Sequence, residues 1–171
     1  EQFDQLLYKY PNIKFIENPA YNEANNISSA MCVRYLLNNA YVCEGDILLH
    51  NPKIIQKYQY KSNYCGIKCD RTDDWCLFEN KGRITGYAVG GENCHQMMGI
   101  SYWTEEDGKK LGDCIKKVYE MPGGKERYWD QVALGYYVED FDISIRECSF
   151  DDFIEIDTFN ELKAIDKIYD V

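Results

Sequence analysis

Two short stretches of the sequence carry carboxylates where a strand is expected to end. The first is Glu44-Gly45-Asp46, which interrupts an apolar run, and in the second Glu155 and Asp157 lie two residues apart on one strand face. A carboxylate left unpaired at such a place is costly unless a cation or a donor satisfies it. The pattern predicts a Mg²⁺ pair for phosphate chemistry. The alternative is that Asp46 only caps the following loop.

The cysteines form a second group that could do chemistry. The sequence contains eight at irregular spacing, with no Cys-x-x-Cys pair. This pattern predicts buried free thiols in a reducing cytoplasm rather than a disulfide framework. An alternative is a zinc site formed by Cys65 and Cys69 with His50 or His95. The sequence contains no second cysteine pair of matching spacing that would complete such a site.

Composition limits the classes of function. The 171 residues, 45% of them hydrophobic, predict one globular domain over 1–171. The formal charge of -10 repels polyphosphate backbones and anionic lipids, so no nucleic acid and no membrane partner is expected. The chain has no apolar run of the length a membrane span needs and no visible signal peptide, which predicts a cytoplasmic protein.

Helix-like and strand-like segments must position these residues, and they alternate along most of the chain. The apolar residues Phe3, Leu6, Leu7 and Tyr10 recur at helical spacing at the start. Such alternation is typical of an α/β fold with a mostly parallel sheet. Helices are predicted over 25–39, 51–60, 104–121, 125–140 and 158–170, and strands over 13–19, 40–49, 62–69, 73–89, 95–103, 141–148 and 153–157.

Several of these segments, taken together and in order, resemble a known family. The chain is similar over nearly its whole length to bacterial cytidylyltransferases that make CDP-choline from CTP and phosphocholine. These belong to the larger nucleoside-triphosphate-transferase group that includes the sugar-nucleotide pyrophosphorylases. The resemblance is carried by "NPAYNEANNISSA", "YVCEGDILL", "GGENCHQMMGISYWTEEDG", "VYEMPGGKERYWDQV" and "FIEIDTFNEL".

The resemblance implies a Rossmann-like α/β/α nucleotidyltransferase fold with a mostly parallel mixed sheet. It implies a Mg²⁺-dependent attack of the phosphocholine phosphate on the α-phosphate of CTP, with release of pyrophosphate. By position, Asp46 and Asp157 resemble the catalytic carboxylates that hold the metal. The residues that resemble the nucleotide-binding loops are Asn25, Asn26, Ser28, Glu44 and Gly45.

The resemblance also implies a site for the choline group. Trp103, Tyr128 and Trp129 would lie near Asp130 and Glu155, and a quaternary ammonium prefers aromatic faces together with a carboxylate. The alternative is that these aromatic residues are ordinary packing residues. Packing is the role predicted for the remaining tryptophan, at position 75.

One feature of the family is missing from this sequence. The family begins with a strand and a Gly-rich loop that carries a basic residue and cradles the triphosphate, and neither is found here. We therefore expect an N-terminally truncated enzyme whose open sheet edge pairs with the missing N-terminal segment or forms a homo-oligomer. Two alternatives stay open: an enzyme acting on another phospho-alcohol, phosphonate or sugar phosphate, and a non-catalytic remnant that binds a nucleotide or a partner chain.

Overall fold

The computed structural model of the protein describes residues 4–169. Position 3 of the predicted opening helix therefore lies outside the described residues. The helices are α1 (Asp4–Lys9), α2 (Ile27–Val33), α3 (Glu105–Glu120) and α4 (Phe159–Ile165). The strands are β1 (Ala40–Cys43), β2 (Ile47–Leu49), β3 (Asn63–Asn80), β4 (Arg83–Trp103), β5 (Ser144–Glu147) and β6 (Phe153–Glu155).

The described strands form a four-stranded sheet in the order β1-β4-β3-β5 and a two-stranded sheet of β2 and β6. The predicted α/β fold with a mixed sheet is confirmed. The pairing is nevertheless mainly antiparallel, because only β3 and β5 run parallel. The expectation of mostly parallel pairing fails because the segments predicted as separate strands join into one long β3–β4 hairpin.

The β3–β4 hairpin is bent. It turns at Lys81 and Gly82, both of which have positive φ. Its register shifts between Thr72 and Trp75, and Cys76 then pairs with both Ala88 and Gln96. Such irregularities re-aim side chains next to functional sites. The bend therefore places the side chain of Trp75 in a direction that a regular strand would not give it.

The strand predicted over 40–49 is two strands in two different sheets. Glu44-Gly45-Asp46 separates β1 from β2, so the strand-end carboxylates lie at the point where the chain changes sheet. The helix predicted over 51–60 is also not formed, apart from a short 3₁₀ turn at Pro52–Ile54. The hydroxyl of Tyr41 bonds both backbone groups of Gln56, which replaces the helical partners there.

Helix α3 supplies the centre of the main core. It begins as predicted, with the Thr104 hydroxyl accepting a hydrogen bond from the Asp107 backbone N–H. Its apolar face packs with two tryptophans and an inward-facing phenylalanine. Members of this cluster include Trp103, Leu111, Ile115, Val118, Trp129 and Phe141.

Two other predicted elements differ from the structure. The helix predicted over 125–140 is a succession of short turns, with a π-helical turn at Val132–Tyr136, and the strand predicted over 13–19 is an irregular, mostly exposed segment. Helix α4 does form, with the reciprocal Thr158–Glu161 capping box. Of the helices within residues 4–169, none is long and apolar enough to cross a membrane.

Candidate active site

A cavity of about 270 Å³ lies where β1 ends, between the bent hairpin and the segment that follows α3. We call it the acidic cavity because half of its lining residues are carboxylates. Its wall is formed by Asn26, Glu44, Asp46, Asp74, Trp75, Met97, Gly99, Tyr128, Asp130 and Glu155.

Three of these carboxylates converge on one point. Each of Glu44, Asp46 and Glu155 offers an oxygen that lies within 4.8 Å of those of the other two. Pairing of β2 with β6 sets Ile47 opposite Glu155, and the Ile156 N–H donates to the Asp46 carbonyl at 2.9 Å. The sheet register therefore brings together side chains from opposite halves of the sequence.

Crowding of the carboxylates changes their acidity. Burial, and then the charges of Asp130, Asp46 and Asp157, raise the pKa of Glu44 to about 7. The pKa of Glu155 is likewise raised to about 7, first by burial and then by Asp157 and Glu44. Three oxygen donors that repel one another fit Mg²⁺, which prefers carboxylate ligands and would relieve the repulsion.

Asp157 lies just beyond this group. Its side chain is exposed, its backbone N–H donates to the Glu161 carboxylate at 2.9 Å, and its charge contributes to the raised pKa of both Glu44 and Glu155. The carboxylate is thus at the same end of β6 as Glu155. Its role as a metal ligand stays a prediction.

Asp130 is the buried carboxylate of the cavity. Only 5% of the residue is exposed, and the Tyr64 hydroxyl donates to its Oδ1 at 2.6 Å. Burial raises the pKa of Asp130 to about 6, although the hydrogen bond from Tyr64 lowers it. An acidic side chain is therefore fixed in place at the wall of the cavity.

This pKa predicts how stability depends on pH. Between pH 4 and 6 folded Asp130 holds a proton that the unfolded chain has released, so its contribution to the free energy of unfolding falls by about 3 kcal/mol as pH rises. Asp130→Asn can still accept from Tyr64 but cannot ionise. Urea unfolding should find the two proteins equally stable near pH 4 and the variant more stable above pH 6. A difference that does not change with pH would contradict the buried carboxylate.

The predicted aromatic residues do not all reach the acidic cavity. Trp103 is 1% exposed and packs between Trp129 and Phe141 in the core. Trp129 is also buried, stacks on Tyr64 and lines a different cavity. Of the three aromatic residues proposed from the sequence, Tyr128 alone lines the acidic cavity.

The second aromatic side chain of the cavity is Trp75, for which the sequence predicted only packing. Its ring lies edge-on to Tyr128, with centroids 5.2 Å apart, and stacks on Tyr87 at 5.4 Å. The signal that could have found it is Asp73-Asp74 directly before it, an acidic pair inside an otherwise strand-like segment.

Three of the five proposed nucleotide-binding residues line a second, mainly apolar cavity of about 370 Å³. Asn26, Glu44 and Gly45 line it, and Asn26 and Glu44 also line the acidic cavity. The Asn26 Oδ1 accepts from the Trp129 backbone N–H at 2.9 Å. The side chain of Asn26 therefore connects the two cavities.

Asn25 and Ser28 are structural in their contacts. The backbone N–H of Asn25 donates to the Lys125 carbonyl at 2.7 Å, and the buried Ser28 hydroxyl donates to the Asn25 carbonyl at 2.8 Å. The first bond ties the start of α2 to the segment after α3, and the second lies at the start of α2. They hold Asn26 in place, while the side chains of Asn25 and Ser28 lie outside both cavity linings.

The cysteines do not form a metal centre within residues 4–169. All eight are free thiols, and the one group of potential metal ligands found there contains carboxylates only. The predicted free thiols are present, but the predicted burial holds for four of the eight, and Cys43 is exposed. The alternative zinc site at Cys65 and Cys69 has no support in this arrangement.

Comparison with known proteins extends this picture. The chain is 32% identical to a 2-aminoethylphosphonate cytidylyltransferase of Lancefieldella rimae, over 99% of this chain and 70% of that protein. It is 26% identical to a choline-phosphate cytidylyltransferase of Haemophilus influenzae, over 96% of this chain and 71% of that protein. No family model matches the sequence.

Solved structures share the fold. A CTP:phosphocholine cytidylyltransferase from Streptococcus pneumoniae superposes with a TM-score of 0.85 at 24% identity, covering 98% of this chain and 73% of that one. An inositol-1-phosphate CTP transferase from T. maritima gives 0.65 at 14% identity, covering 97% and 68%. The fold agreement and the 32% identical relative establish that this chain belongs to the cytidylyltransferases of the nucleotidyltransferase superfamily.

Proposed function

We propose that the protein transfers CMP from CTP to an acceptor that carries both an anionic phosphorus group and an ammonium group. One observation supports this most strongly. The converging carboxylates Glu44, Asp46 and Glu155 share a single cavity with the buried Asp130 and the ring of Trp75. A site for a phosphate-bound metal thus adjoins a site for an organic cation.

Glu44, Asp46 and Glu155 would hold Mg²⁺, and the negative charge of Asp157, which acts on both Glu44 and Glu155, would assist. When bound, Mg²⁺ neutralises phosphate charge that builds up during transfer. We propose that Asn26 and Gly45, together with Asn25 and Ser28 behind them, position the cytidine beside the apolar cavity. The nucleotide and the acceptor would then meet at Glu44, which lines both cavities.

The reaction needs little acid–base chemistry from the protein. An oxygen of the phosphate or phosphonate is already anionic at neutral pH, so it attacks the α-phosphorus of CTP without a base. The bond from that phosphorus to the β-phosphate oxygen breaks, and pyrophosphate leaves with the electron pair. The chain's contribution is to orient the two phosphorus groups in line and to hold the cationic end of the acceptor.

The ammonium end favours a primary amine, as in 2-aminoethylphosphonate. A primary ammonium has three N–H donors, and Asp74 and Asp130, the two lining carboxylates outside the proposed metal group, offer oxygens around the cavity. Such hydrogen bonds offset the cost of removing this strongly hydrated group from water. The identity to a 2-aminoethylphosphonate cytidylyltransferase supports the same choice.

A specific observation favours phosphocholine as the second candidate. Trp75 and Tyr128 present two aromatic rings at the cavity, and a trimethylammonium gains about 0.5–2 kcal/mol from such a contact. The cage proposed from the sequence would have had more aromatic faces. Trp129 faces the apolar cavity, so the remaining aromatic wall is smaller than the carboxylate one.

Turnover with matched acceptors tests the proposal. We expect pyrophosphate release with CTP and Mg²⁺ to be most efficient for 2-aminoethylphosphonate, and kcat/KM to fall about 10- to 100-fold for ethylphosphonate, which lacks only the amine. Phosphoethanolamine and phosphocholine complete the series, with products identified by mass. A higher kcat/KM for phosphocholine would favour the second candidate. Absence of product with every acceptor would overturn the proposal and favour the non-catalytic hypothesis.

The exposed edge of the four-stranded sheet is a place where a partner strand could bind. Among the described strands β1 forms one edge of the four-stranded sheet, and its Val42 and Cys43 line the apolar cavity. Exposed edges are normally paired or covered. We propose that this edge pairs with an additional strand from a second copy of the chain.

A further inference from the structure

The side chain of Gln131 makes two hydrogen bonds next to the acidic cavity. Its Oε1 accepts from the Tyr128 backbone N–H at 3.0 Å, and its Nε2 donates to the Tyr87 hydroxyl at 2.8 Å. Gln131 itself does not line the cavity. The amide therefore joins the segment after α3 to strand β4.

The two partners of Gln131 are also connected through their rings. Tyr87 stacks on Trp75 with an interplanar angle of 18°, and Trp75 meets Tyr128 at 66°. The contacts thus form a closed circuit, from Gln131 to Tyr87, Trp75 and Tyr128 and back to Gln131. We call these four residues the aromatic latch.

Tyr87 has little room to move within the latch. A Cβ atom on Gly135 would lie 2.8 Å from the Tyr87 ring, so the ring passes close to the backbone there. The Trp75 ring stacks on the Tyr87 ring, and the Gln131 amide donates a hydrogen bond to the Tyr87 hydroxyl. The Tyr87 ring is therefore a fixed support for Trp75.

Trp75 needs such a support. It lies at the register shift of β3, where the regular strand no longer dictates the direction of its side chain, and it is only partly buried. A rotation of its indole would change the width of the acidic cavity between Trp75 and Asp130. The latch opposes that rotation.

We propose that Gln131 is a positioning residue that sets the width of the ammonium end of the cavity and thereby selects primary over quaternary ammonium acceptors. The inference rests on the proposed function, because it assigns selectivity to the same cavity. With the latch closed, Trp75 is held near the carboxylates and leaves space for a small cation. When the contacts of the aromatic latch are lost, the Trp75 ring can move and leave space for the three methyl groups of a quaternary ammonium.

Four variants separate this role from general packing. Gln131→Glu keeps both bonds, since its carboxylate can accept from the Tyr128 N–H and from the Tyr87 hydroxyl. Gln131→Met has similar length but breaks both bonds, and Tyr87→Phe loses one bond while keeping the stacked ring. Gln59→Met is the control, because Gln59 donates to the Tyr41 hydroxyl at the same 2.8 Å but lies away from the acidic cavity.

The selectivity to measure is the ratio of kcat/KM for 2-aminoethylphosphonate to that for phosphocholine. We expect Gln131→Met to lower it about tenfold through the acceptor KM, with the KM for CTP unchanged. Gln131→Glu and Gln59→Met should keep the wild-type ratio. The double variant Tyr87→Phe/Gln131→Met should have a selectivity ratio no lower than that of Gln131→Met alone, because both substitutions remove the same hydrogen bond between Gln131 and Tyr87.

A measurement without turnover separates this inference from the proposed function. Tryptophan fluorescence can follow titration with methylammonium and with tetramethylammonium chloride. If the wild type forms no product but prefers methylammonium, and Gln131→Met loses that preference, the latch stands and the proposed function fails. Full selectivity in both Gln131→Met and Tyr87→Phe would overturn the inference. If Gln131→Met does not fold, the Tyr87→Phe result decides.

Discussion

Asp46→Asn is expected to lower the rate of CMP transfer about 100- to 1,000-fold, the loss typical when one group that stabilises transition-state charge is removed. The substitution keeps the shape of the side chain but removes a charge from the converging Glu44–Asp46–Glu155 group. Asp46 is exposed, and its side chain makes none of the hydrogen bonds found among residues 4–169. Because the substitution also removes a charge that repels Glu44 and Glu155, the melting temperature should not fall. The measurement is kcat at saturating CTP and Mg²⁺, with circular dichroism for the fold.

The control for this substitution is Asp151→Asn, another exposed aspartate that lies outside the acidic cavity. Asp157→Asn and Glu155→Gln then test which of these two carboxylates contributes to the proposed metal site. A large loss in both would place both carboxylates at the metal. Wild-type turnover in Asp46→Asn and in Asp157→Asn would end the assignment of a metal site here.

Gly124→Ala is expected to destabilise the protein by about 3 kcal/mol or more, at the upper end of the range for overpacking. A Cβ atom at this position would overlap the Val118 carbonyl oxygen, which is backbone in the last turn of α3 and cannot rotate away. The turn after α3 would have to move. For a chain of this length the melting temperature should fall by about 10 °C.

Gly86→Ala is the matched control, because a Cβ atom there meets nothing within 4 Å and the backbone has no positive φ. Its stability should lie within about 0.5 kcal/mol of the wild type. Calorimetry of the three proteins tests the comparison. Equal stability of Gly124→Ala and Gly86→Ala would mean that the turn adapts, contrary to the packing described here.

Elements fixed by local chemistry could be predicted from the sequence. Thr104 and Thr158 each cap the helix that follows them, and the signals lie within the first four residues of that helix. Asp46 and Asp157 were also expected to meet at one edge of the sheet; in the structure the carboxylates that converge with Asp46 are Glu44 and Glu155, and the role of Asp157 as a metal ligand stays a prediction. That expectation needed only the ends of two strands, which the alternation of charged and apolar residues indicates.

Elements decided by tertiary contacts could not be predicted. The segment 51–60 contains helix-forming residues, yet the hydroxyl of Tyr41 in β1 forms hydrogen bonds with the backbone carbonyl and N–H of Gln56. The position of Trp75 depends on a register shift in β3, which has no local signal as clear as a turn. For this reason the sequence predicted Trp103, Tyr128 and Trp129 at the acceptor site and missed Trp75. Tyr128 lines the acidic cavity, whereas the rings of Trp103 and Trp129 lie in the core and at the apolar cavity.

The pairing of β2 with β6 has a consequence for the order of folding. The β3–β4 hairpin closes through the adjacent residues Lys81 and Gly82, so its nucleation costs little loop entropy. The contact of Ile47 with Glu155, in contrast, closes a loop that contains most of the chain. Such long-range closure is slow relative to local pairing. We therefore expect the carboxylates at 46 and 155 to meet late, so that a newly made chain forms its hairpin before the carboxylate group of the acidic cavity is assembled.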